Sequence, residues 1–204
     1  NNAGIAADLP WSPAPSDVSY GDFTDRVLQT NFFGPLKLTE SLIEEGLLTD
    51  GGRILFVSSG GGHIAINKVL PEIKERFLSP TLSTEDVMKE AHDFVTDAQQ
   101  GGKDRLEQKW NYTHRYGFSK LCVSAASRTF AREHPGFIVH ACTPGFVKTR
   151  MTVGASSANL TPDEGAAVIV HLLLSQDAMV LESGKFFNHE LEVLTWDDGR
   201  YVSA

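Results

Sequence analysis

Residues 53–59, Arg-Ile-Leu-Phe-Val-Ser-Ser, decide the fold class. Four consecutive apolar residues between two glycine clusters, Gly51-Gly52 and Gly60-Gly61-Gly62, predict a short strand that is buried on both faces of a parallel sheet. A second such strand is predicted over residues 137–143, Phe-Ile-Val-His-Ala-Cys-Thr, and a last short one over residues 184–188. Because helical patterns separate these strands, the predicted class is α/β with a mostly parallel sheet.

Apolar residues at helical spacing predict the helices that connect the strands. Ser83 with Asp86, and Thr161 before Pro162, are typical helix-start signals. Gly60-Gly61-Gly62 is interpreted as a flexible turn, and the charged stretch at about residues 67–112 as a helical insert on the outside of the core. The predicted helices cover residues 17–48, ending at Gly51-Gly52, and residues 71–78, 83–98, 113–133 and 161–175.

Composition excludes several classes of protein. The 204 residues, with 41% hydrophobic and 22% charged side chains, suit one globular domain. A formal charge of −8 lacks the basic footprint of a nucleic-acid or anionic-membrane binder, and no apolar run is long enough for a membrane span. Cys122 and Cys142 are expected to be buried free thiols, and the seven histidines show no metal-binding spacing, so no metal is predicted. A cytoplasmic protein is the default expectation.

Polar side chains follow the predicted strand ends, where parallel sheets of this class bind ligands. Tyr116 and Lys120 lie four residues apart on a predicted helix, and a nearby ammonium is expected to lower the pKa of the phenol toward the range useful for proton transfer. Ser58 and Ser59 follow the first strand, and Asn31 interrupts an apolar helical stretch. Each feature has a structural alternative, because such Tyr–Lys pairs are common, serines cap turns, and a buried Asn can mark a local kink.

Five motifs in order resemble those of the short-chain dehydrogenase/reductases. They are Asn1-Asn2-Ala3-Gly4, the central Asn31, Ser59 at a strand end, Tyr116-x-x-x-Lys120, and Pro144-Gly145-x-Val147-x-Thr149. Ser59 and Tyr116 are 57 positions apart, more than a classical member needs, and residues 71–77, 93–97 and Trp110 are similar to the insert of the carbonyl reductases. The resemblance implies a Rossmann-like, doubly wound parallel sheet and a monomer.

The resemblance also implies a role for each matching residue. Tyr116 is the expected general acid toward a carbonyl oxygen, and Lys120 lowers its pKa and holds the nicotinamide ribose. Ser59, preferred to Ser58, polarises the carbonyl, and Asn31 anchors a relay water. The expected cofactor-binding residues are Asn2, Ala3, Gly4, Tyr116, Lys120, Pro144, Gly145, Val147, Lys148 and Thr149, and the expected substrate contacts are Gly60, Phe146 and Met151.

The chain departs from the family pattern in one large respect. The glycine-rich turn, of Thr-Gly-x-x-x-Gly-x-Gly type, is not in the sequence, and Asn1–Ala6 is interpreted as the end of a strand that runs into a loop. The chain is therefore expected to be the C-terminal catalytic portion of a domain that lacks its first strands, roughly 80–90 residues. Alone it is expected to be inactive and poorly stable, because a sheet edge would be left unpaired.

The implied activity is NADPH-dependent reduction of ketone, aldehyde or quinone carbonyls, with NADH not excluded. NADPH is inherited from the carbonyl reductases, because the residues that select a 2′-phosphate would precede residue 1. The alternative is a non-catalytic protein of the same fold that binds the cofactor or a partner. An epimerase of the extended branch is disfavoured, because the tail after Pro144 is too short for a substrate domain.

Overall fold

The computed structural model describes residues 2–6, 9 and 15–195. Asn1 lies outside the described residues, and residues 2–6 belong to no regular element, so the predicted strand end is not seen there. The helices are α1 (Tyr20–Leu28), α2 (Gly34–Glu44), α3 (Gly60–Ile66), α4 (Pro71–Leu78), α5 (Thr84–Trp110), α6 (Arg115–Glu133), α7 (Pro162–Leu174) and α8 (Ala178–Leu181), with a π-helical turn at Gln29–Phe33 and a 3₁₀ turn at Arg150–Thr152. The strands are β1 (Arg53–Val57), β2 (Ile138–Cys142), β3 (Phe186–Phe187) and β4 (Val193–Leu194).

The four strands form one sheet in the order β1-β2-β3-β4. β1 pairs with β2 and β2 with β3 in parallel, while β4 is antiparallel to β3. The register places Val57 opposite Cys142 and Cys142 opposite Phe187, so three strands end at the same edge of the sheet. The predicted α/β class with a mostly parallel sheet is confirmed, and both long predicted strands are present.

Two apolar clusters show that helices cover both faces of the sheet. The larger cluster joins α1, α3, α5 and α6 to residues Ile54, Phe56, Val139 and Ala141. The smaller joins α7 to Leu55, Val57, Cys142 and Phe187. Because successive strand residues point to opposite faces, this alternation is what a strand buried on both sides requires.

Gly60-Gly61-Gly62 is the first turn of α3, so the prediction of a flexible turn there is wrong. Ser59 caps this helix, its hydroxyl accepting a hydrogen bond from the Gly61 N–H at 3.1 Å. The glycines serve close packing, because a Cβ on Gly62 would lie 2.8 Å from the backbone oxygen of Lys120 in α6. A Cβ on Gly117 would lie 3.2 Å from the Gly61 oxygen. The two helix backbones therefore touch.

The helical region predicted over residues 17–48 is interrupted and ends early. A π-helical turn at Gln29–Phe33 separates α1 from α2, and α2 ends at Glu44 rather than at Gly51-Gly52. Gly46 lies in the left-handed region at φ 68°, and the N–H groups of Gly46 and Leu47 bond back to the carbonyls of Ile43 and Leu42. These bonds are those of a helix C-terminus, for which glycine is the favoured residue.

The composition of the charged insert suggested that it lies on the outside of the core. This prediction is wrong for one face of its long helix. α5 starts at the predicted Ser83–Asp86 capping box but runs to Trp110, with a break at Gly102, where φ is 61° and ψ is −146°. Its apolar face enters the larger cluster, and the Phe94 ring stacks on Phe118 of α6 with centroids 3.8 Å apart. Charge in this insert marks one face of its helices.

Two further expectations concern the cysteines and the membrane. Cys122 and Cys142 are free and buried, as predicted. In the part of the chain that the structure describes, no helix combines the length and apolarity needed to cross a bilayer.

The α3–α6 contact predicts that alanine substitutions of two neighbouring glycines change stability differently. Gly62→Ala should destabilise the fold by about 1–3 kcal/mol, because its methyl group would overlap the Lys120 backbone. Gly61→Ala is the matched control, since its methyl would meet its nearest neighbours at 3.5–3.6 Å. Alanine also favours the helix over glycine by about 1 kcal/mol, so this control should be neutral or stabilising. Urea unfolding measures both variants; equal midpoints would contradict the contact.

Candidate active site

Ser58 and Ser59 follow β1 and point to different surroundings. Ser58 is buried, its hydroxyl donating to the Lys120 carbonyl at 3.0 Å and lying 2.6 Å from the Ser124 hydroxyl. Ser59 is partly exposed and caps α3 at the carboxyl edge of the sheet. Ser58 is therefore a packing residue between β1 and α6, whereas Ser59 faces the region where a ligand can approach.

Tyr116 lies in the first turn of α6, next to Ser59. The ideal Cβ position of Gly61 is 3.5 Å from the Ser59 Oγ and 3.6 Å from the Tyr116 ring, so both groups flank one point. Burial raises the pKa of Tyr116 above its usual value of 10, and a hydrogen bond with Ser59 acts in the opposite direction. The expectation that Lys120 lowers this pKa is not met here, because desolvation of the phenolate dominates.

Lys120 is 5% exposed, and its ammonium is held beneath the site. Nζ donates to the Val57 carbonyl at 2.8 Å and lies 5.7 Å from the centre of the Tyr116 ring. Burial lowers the pKa of Lys120 to about 8. The Cys142 thiol interacts with this ammonium, but burial keeps the thiol protonated by raising its pKa to about 12.

Asn31 is buried in the π-helical turn and binds the backbone of Ile5. Its Oδ1 accepts from the Ile5 N–H at 2.7 Å, and its Nδ2 donates to the Ile5 carbonyl at 2.9 Å. A Cβ at Gly4 would lie 3.6 Å from Asn31 Oδ1, 3.9 Å from Lys120 Nζ and 4.0 Å from Met151 Cε. Asn31 therefore holds Ile5, and the preceding residue, Gly4, lies beside Lys120, where the absence of a side chain leaves room.

The loop after β2 crosses the same edge of the sheet. Gly145 has φ 77°, a backbone conformation that favours glycine. Beyond it, Val147 forms a parallel bridge with Leu160, and the Thr149 N–H donates to the Thr152 hydroxyl at 2.8 Å. Pro144 and Gly145 are partly buried, while Lys148 and Thr149 are exposed. The loop that the resemblance assigns to the cofactor thus begins directly after Thr143, at the carboxyl end of β2.

The three residues expected to contact substrate lie in different elements near this edge of the sheet. Gly60 starts α3 beside Ser59, and Met151, in the 3₁₀ turn, lies over Gly4. Phe146 is partly exposed, and its carbonyl accepts from the N–H groups of Asn159 and Leu160. The structure thus brings Gly60 to the Ser59 side and Met151 to the Lys120 side of the site.

Comparison with known proteins identifies relatives of this chain. No family model matches the chain. Carbonyl reductase [NADPH] 1 of Bos taurus is 31% identical over 205 residues, which cover 96% of this chain and 68% of that protein. Carbonyl reductase [NADPH] 1 of Sus scrofa is 33% identical over 185 residues, covering 87% of this chain and 60% of that protein.

The chain belongs to the carbonyl reductase group of the short-chain dehydrogenase/reductase family. It spans about 60% of the length of the porcine relative. The solved structure of salutaridine reductase from Papaver somniferum matches with a TM-score of 0.70 and 28% identity, over 82% of this chain and 55% of that one. The Rossmann-like architecture that the motifs implied is thereby confirmed.

The sequence analysis assigned no role to three residues that make contacts around this edge. Ser119 lies inside the quoted Tyr-Gly-Phe-Ser-Lys motif and accepts a hydrogen bond from Asn31 Nδ2 at 2.9 Å. His114 caps α6, its Nδ1 accepting from the Gly117 N–H at 3.1 Å. His189 follows β3 and packs on the Gly145 loop, with its Nδ1 3.2 Å from the ideal Cβ position of Gly145. Only the capping histidine left a signal, its place just before the predicted helix.

Burial of Lys120 predicts a pH-dependent cost to stability. A lysine whose pKa falls to about 8 on folding binds fewer protons in the folded than in the unfolded state above that pH. The cost is therefore full below pH 8 and disappears as pH rises toward the ordinary value of about 10.4. Lys120→Met should gain stability relative to wild type at pH 7 by up to about 3 kcal/mol, and less at pH 10.

Denaturant unfolding at the two pH values measures this difference, with Lys68→Met, which replaces an exposed lysine, as the control. A Lys120→Met difference that stays constant between pH 7 and pH 10 would contradict the buried-ammonium account.

Proposed function

We propose that this chain carries the catalytic centre of an NADPH-dependent reductase of small-molecule ketones, aldehydes or quinones. The observation that carries the proposal is the meeting of three groups at the carboxyl edge of the sheet. Ser59 Oγ and the Tyr116 ring lie 3.5 Å and 3.6 Å from the ideal Cβ position of Gly61, and the buried Lys120 ammonium lies 5.7 Å from the centre of that ring. The printed names of the bovine and porcine relatives, carbonyl reductase [NADPH] 1, support the reaction class and the cofactor.

The residues at the edge of the sheet fit a nicotinamide cofactor. The ideal Cβ position of Gly4 lies 3.9 Å from the Lys120 ammonium, and Met151, which follows the loop from Pro144 to Thr149, lies 4.0 Å from the same point. Asn2, Ala3, Gly4, Lys120 and this loop would hold the cofactor. When bound, NADPH supplies a hydride to the carbonyl carbon.

The protein residues would supply the proton and fix the carbonyl. Ser59 would donate a hydrogen bond to the carbonyl oxygen, and Tyr116 would transfer its phenolic proton to that oxygen as the C–O double bond becomes a single bond. The raised pKa of Tyr116 keeps the phenol protonated before the reaction, as a proton donor requires. Lys120, whose ammonium lies 5.7 Å from the centre of the Tyr116 ring, would hold the nicotinamide ribose.

Exchange of the proton donor is the direct test. Tyr116→Phe should lower kcat for NADPH-dependent carbonyl reduction by about 10²–10⁴-fold while NADPH still binds. Tyr20→Phe is the matched control, because it removes a phenol that donates to the Thr113 carbonyl in a structural role. The assay uses the intact gene product with a panel of ketones, aldehydes and quinones.

Retention of more than a tenth of wild-type kcat by Tyr116→Phe would reject Tyr116 as the donor. Tight NADPH binding by the wild type without turnover on the panel would instead favour the non-catalytic alternative.

The two neighbouring serines give a second test, in which each is the control of the other. Ser59→Ala loses a helix cap, worth about 0.5–2 kcal/mol. Ser58→Ala leaves the buried Ser124 hydroxyl without this partner, at about 1–3 kcal/mol. Both variants should therefore lose stability, but only Ser59→Ala should lower kcat, by about 10²-fold or more. A comparable fall in kcat for Ser58→Ala would contradict the assignment.

A further inference from the structure

A chain of directed hydrogen bonds connects the catalytic turn of α6 to the segment beside Lys120. Ser119 lies between Tyr116 and Lys120 in the sequence and is completely buried. Its hydroxyl donates to the Tyr116 backbone carbonyl at 2.7 Å. Because the single hydroxyl hydrogen is used there, Ser119 faces Asn31 only as an acceptor.

The acceptor role of Ser119 favours the same orientation of the Asn31 amide as the two backbone groups of Ile5. The Nδ2 group must be directed to Ser119, and the observed Nδ2–Oγ distance is 2.9 Å. The other Nδ2 hydrogen then bonds the Ile5 carbonyl, and Oδ1 receives the Ile5 N–H. A flipped amide would place Oδ1 against both the lone pairs of Ser119 and the Ile5 carbonyl, so only one orientation satisfies all the partners.

The Asn31 amide bonds both backbone polar groups of Ile5, its N–H and its carbonyl, in the way that a neighbouring strand would. Gly4 is the residue that precedes Ile5. Because the ideal Cβ position of Gly4 is within 4 Å of Asn31 and Lys120, a rotation of the amide would displace the segment next to the ammonium. The position of Asn2–Gly4 therefore depends on a hydroxyl in another element.

We propose that Ser119 is a positioning residue that sets the orientation of the Asn31 amide and thereby holds the Asn2–Ile5 segment in place against the Tyr116–Lys120 turn. The link to cofactor affinity rests on the proposed function, but the link between Ser119 and Ile5 does not. Ser119 itself touches neither the phenol oxygen nor the ammonium in this scheme; it acts through Asn31.

Backbone amide exchange at Ile5, followed by NMR, tests the link without cofactor. Ser119→Ala should speed exchange of the Ile5 amide by about three- to tenfold, the effect expected from the loss of one hydrogen bond. Ser127→Ala is the matched control, because Ser127 is a buried serine of the same helix that donates to the carbonyl three residues earlier, Ser124, at 2.8 Å. In the described part of the chain, its hydroxyl bonds nothing outside α6.

A second background separates positioning from general loosening. In an Asn31→Ala protein, Ser119→Ala should change Ile5 exchange no further, because the link is already absent. Ile5 exchange within twofold of wild type in Ser119→Ala, equal acceleration in Ser127→Ala, or an additive effect on the Asn31→Ala background would each overturn the proposal. If Ser119→Ala does not fold, Ser119→Cys is measured with the same expectation, because a thiol fills the space but is a weak acceptor.

NADPH titration of the intact gene product, followed by fluorescence, tests the consequence for the site. Ser119→Ala should raise the Kd for NADPH by about three- to tenfold, and Ser127→Ala should leave it unchanged. A wild-type protein that binds no NADPH would reject the proposed function, while the Ile5 exchange would still decide the role of Ser119. Normal NADPH affinity in Ser119→Ala, with faster Ile5 exchange, would overturn the consequence for cofactor affinity.

Discussion

The contact between the backbones of α3 and α6 is the constraint on which the rest of the site depends. It exists because Gly62 and Gly117 carry no side chains where the two helices meet. A side chain at Gly62 would overlap the Lys120 backbone and push the helices apart, and one at Gly117 would overlap the Tyr112 hydroxyl and crowd the Gly61 carbonyl. Ser59, at the start of α3, would then move away from Tyr116, at the start of α6. The distance between the hydroxyl and the phenol is therefore set by helix packing rather than by the two residues themselves.

Around this contact, some buried polar groups hold α6 against β1, and others belong to the proposed catalytic site. Ser58 donates to the Lys120 carbonyl and bonds the Ser124 hydroxyl, while the Lys120 ammonium donates to the Val57 carbonyl at the end of β1. Because each of these groups is desolvated, the hydrogen bonds are the condition for burying them. The same desolvation raises the pKa of Tyr116 and lowers that of Lys120, so the packing that holds the residues also sets their protonation.

The sequence predicted those parts of the molecule that depend on local pattern. The continuous apolar runs of β1 and β2, the start signals of α5 and α7, and the Tyr116–Lys120 spacing all depend on residues close in the chain. The features that the sequence analysis missed depend on residues far apart in the chain. The glycine cluster is helical because α6 packs on it. The apolar face of the insert is buried because Phe94 stacks on Phe118, which lies in another helix. Desolvation at Tyr116 likewise comes from surrounding elements, so the spacing to Lys120 could not give the direction of its pKa.

Lys120 also constrains how this region can change in length. Its side chain binds the Val57 carbonyl, and its own carbonyl lies against Gly62. The end of β1 and the first turn of α3 are therefore both held in contact with this one residue. The four residues between these two points must span a fixed distance. Substitutions can be accommodated between them, but the insertion or deletion of one residue would break one of the contacts and turn the serines away from their partners. Variation in length among related sequences should therefore be found in the connections around α4 and α5, and not between Val57 and Gly62.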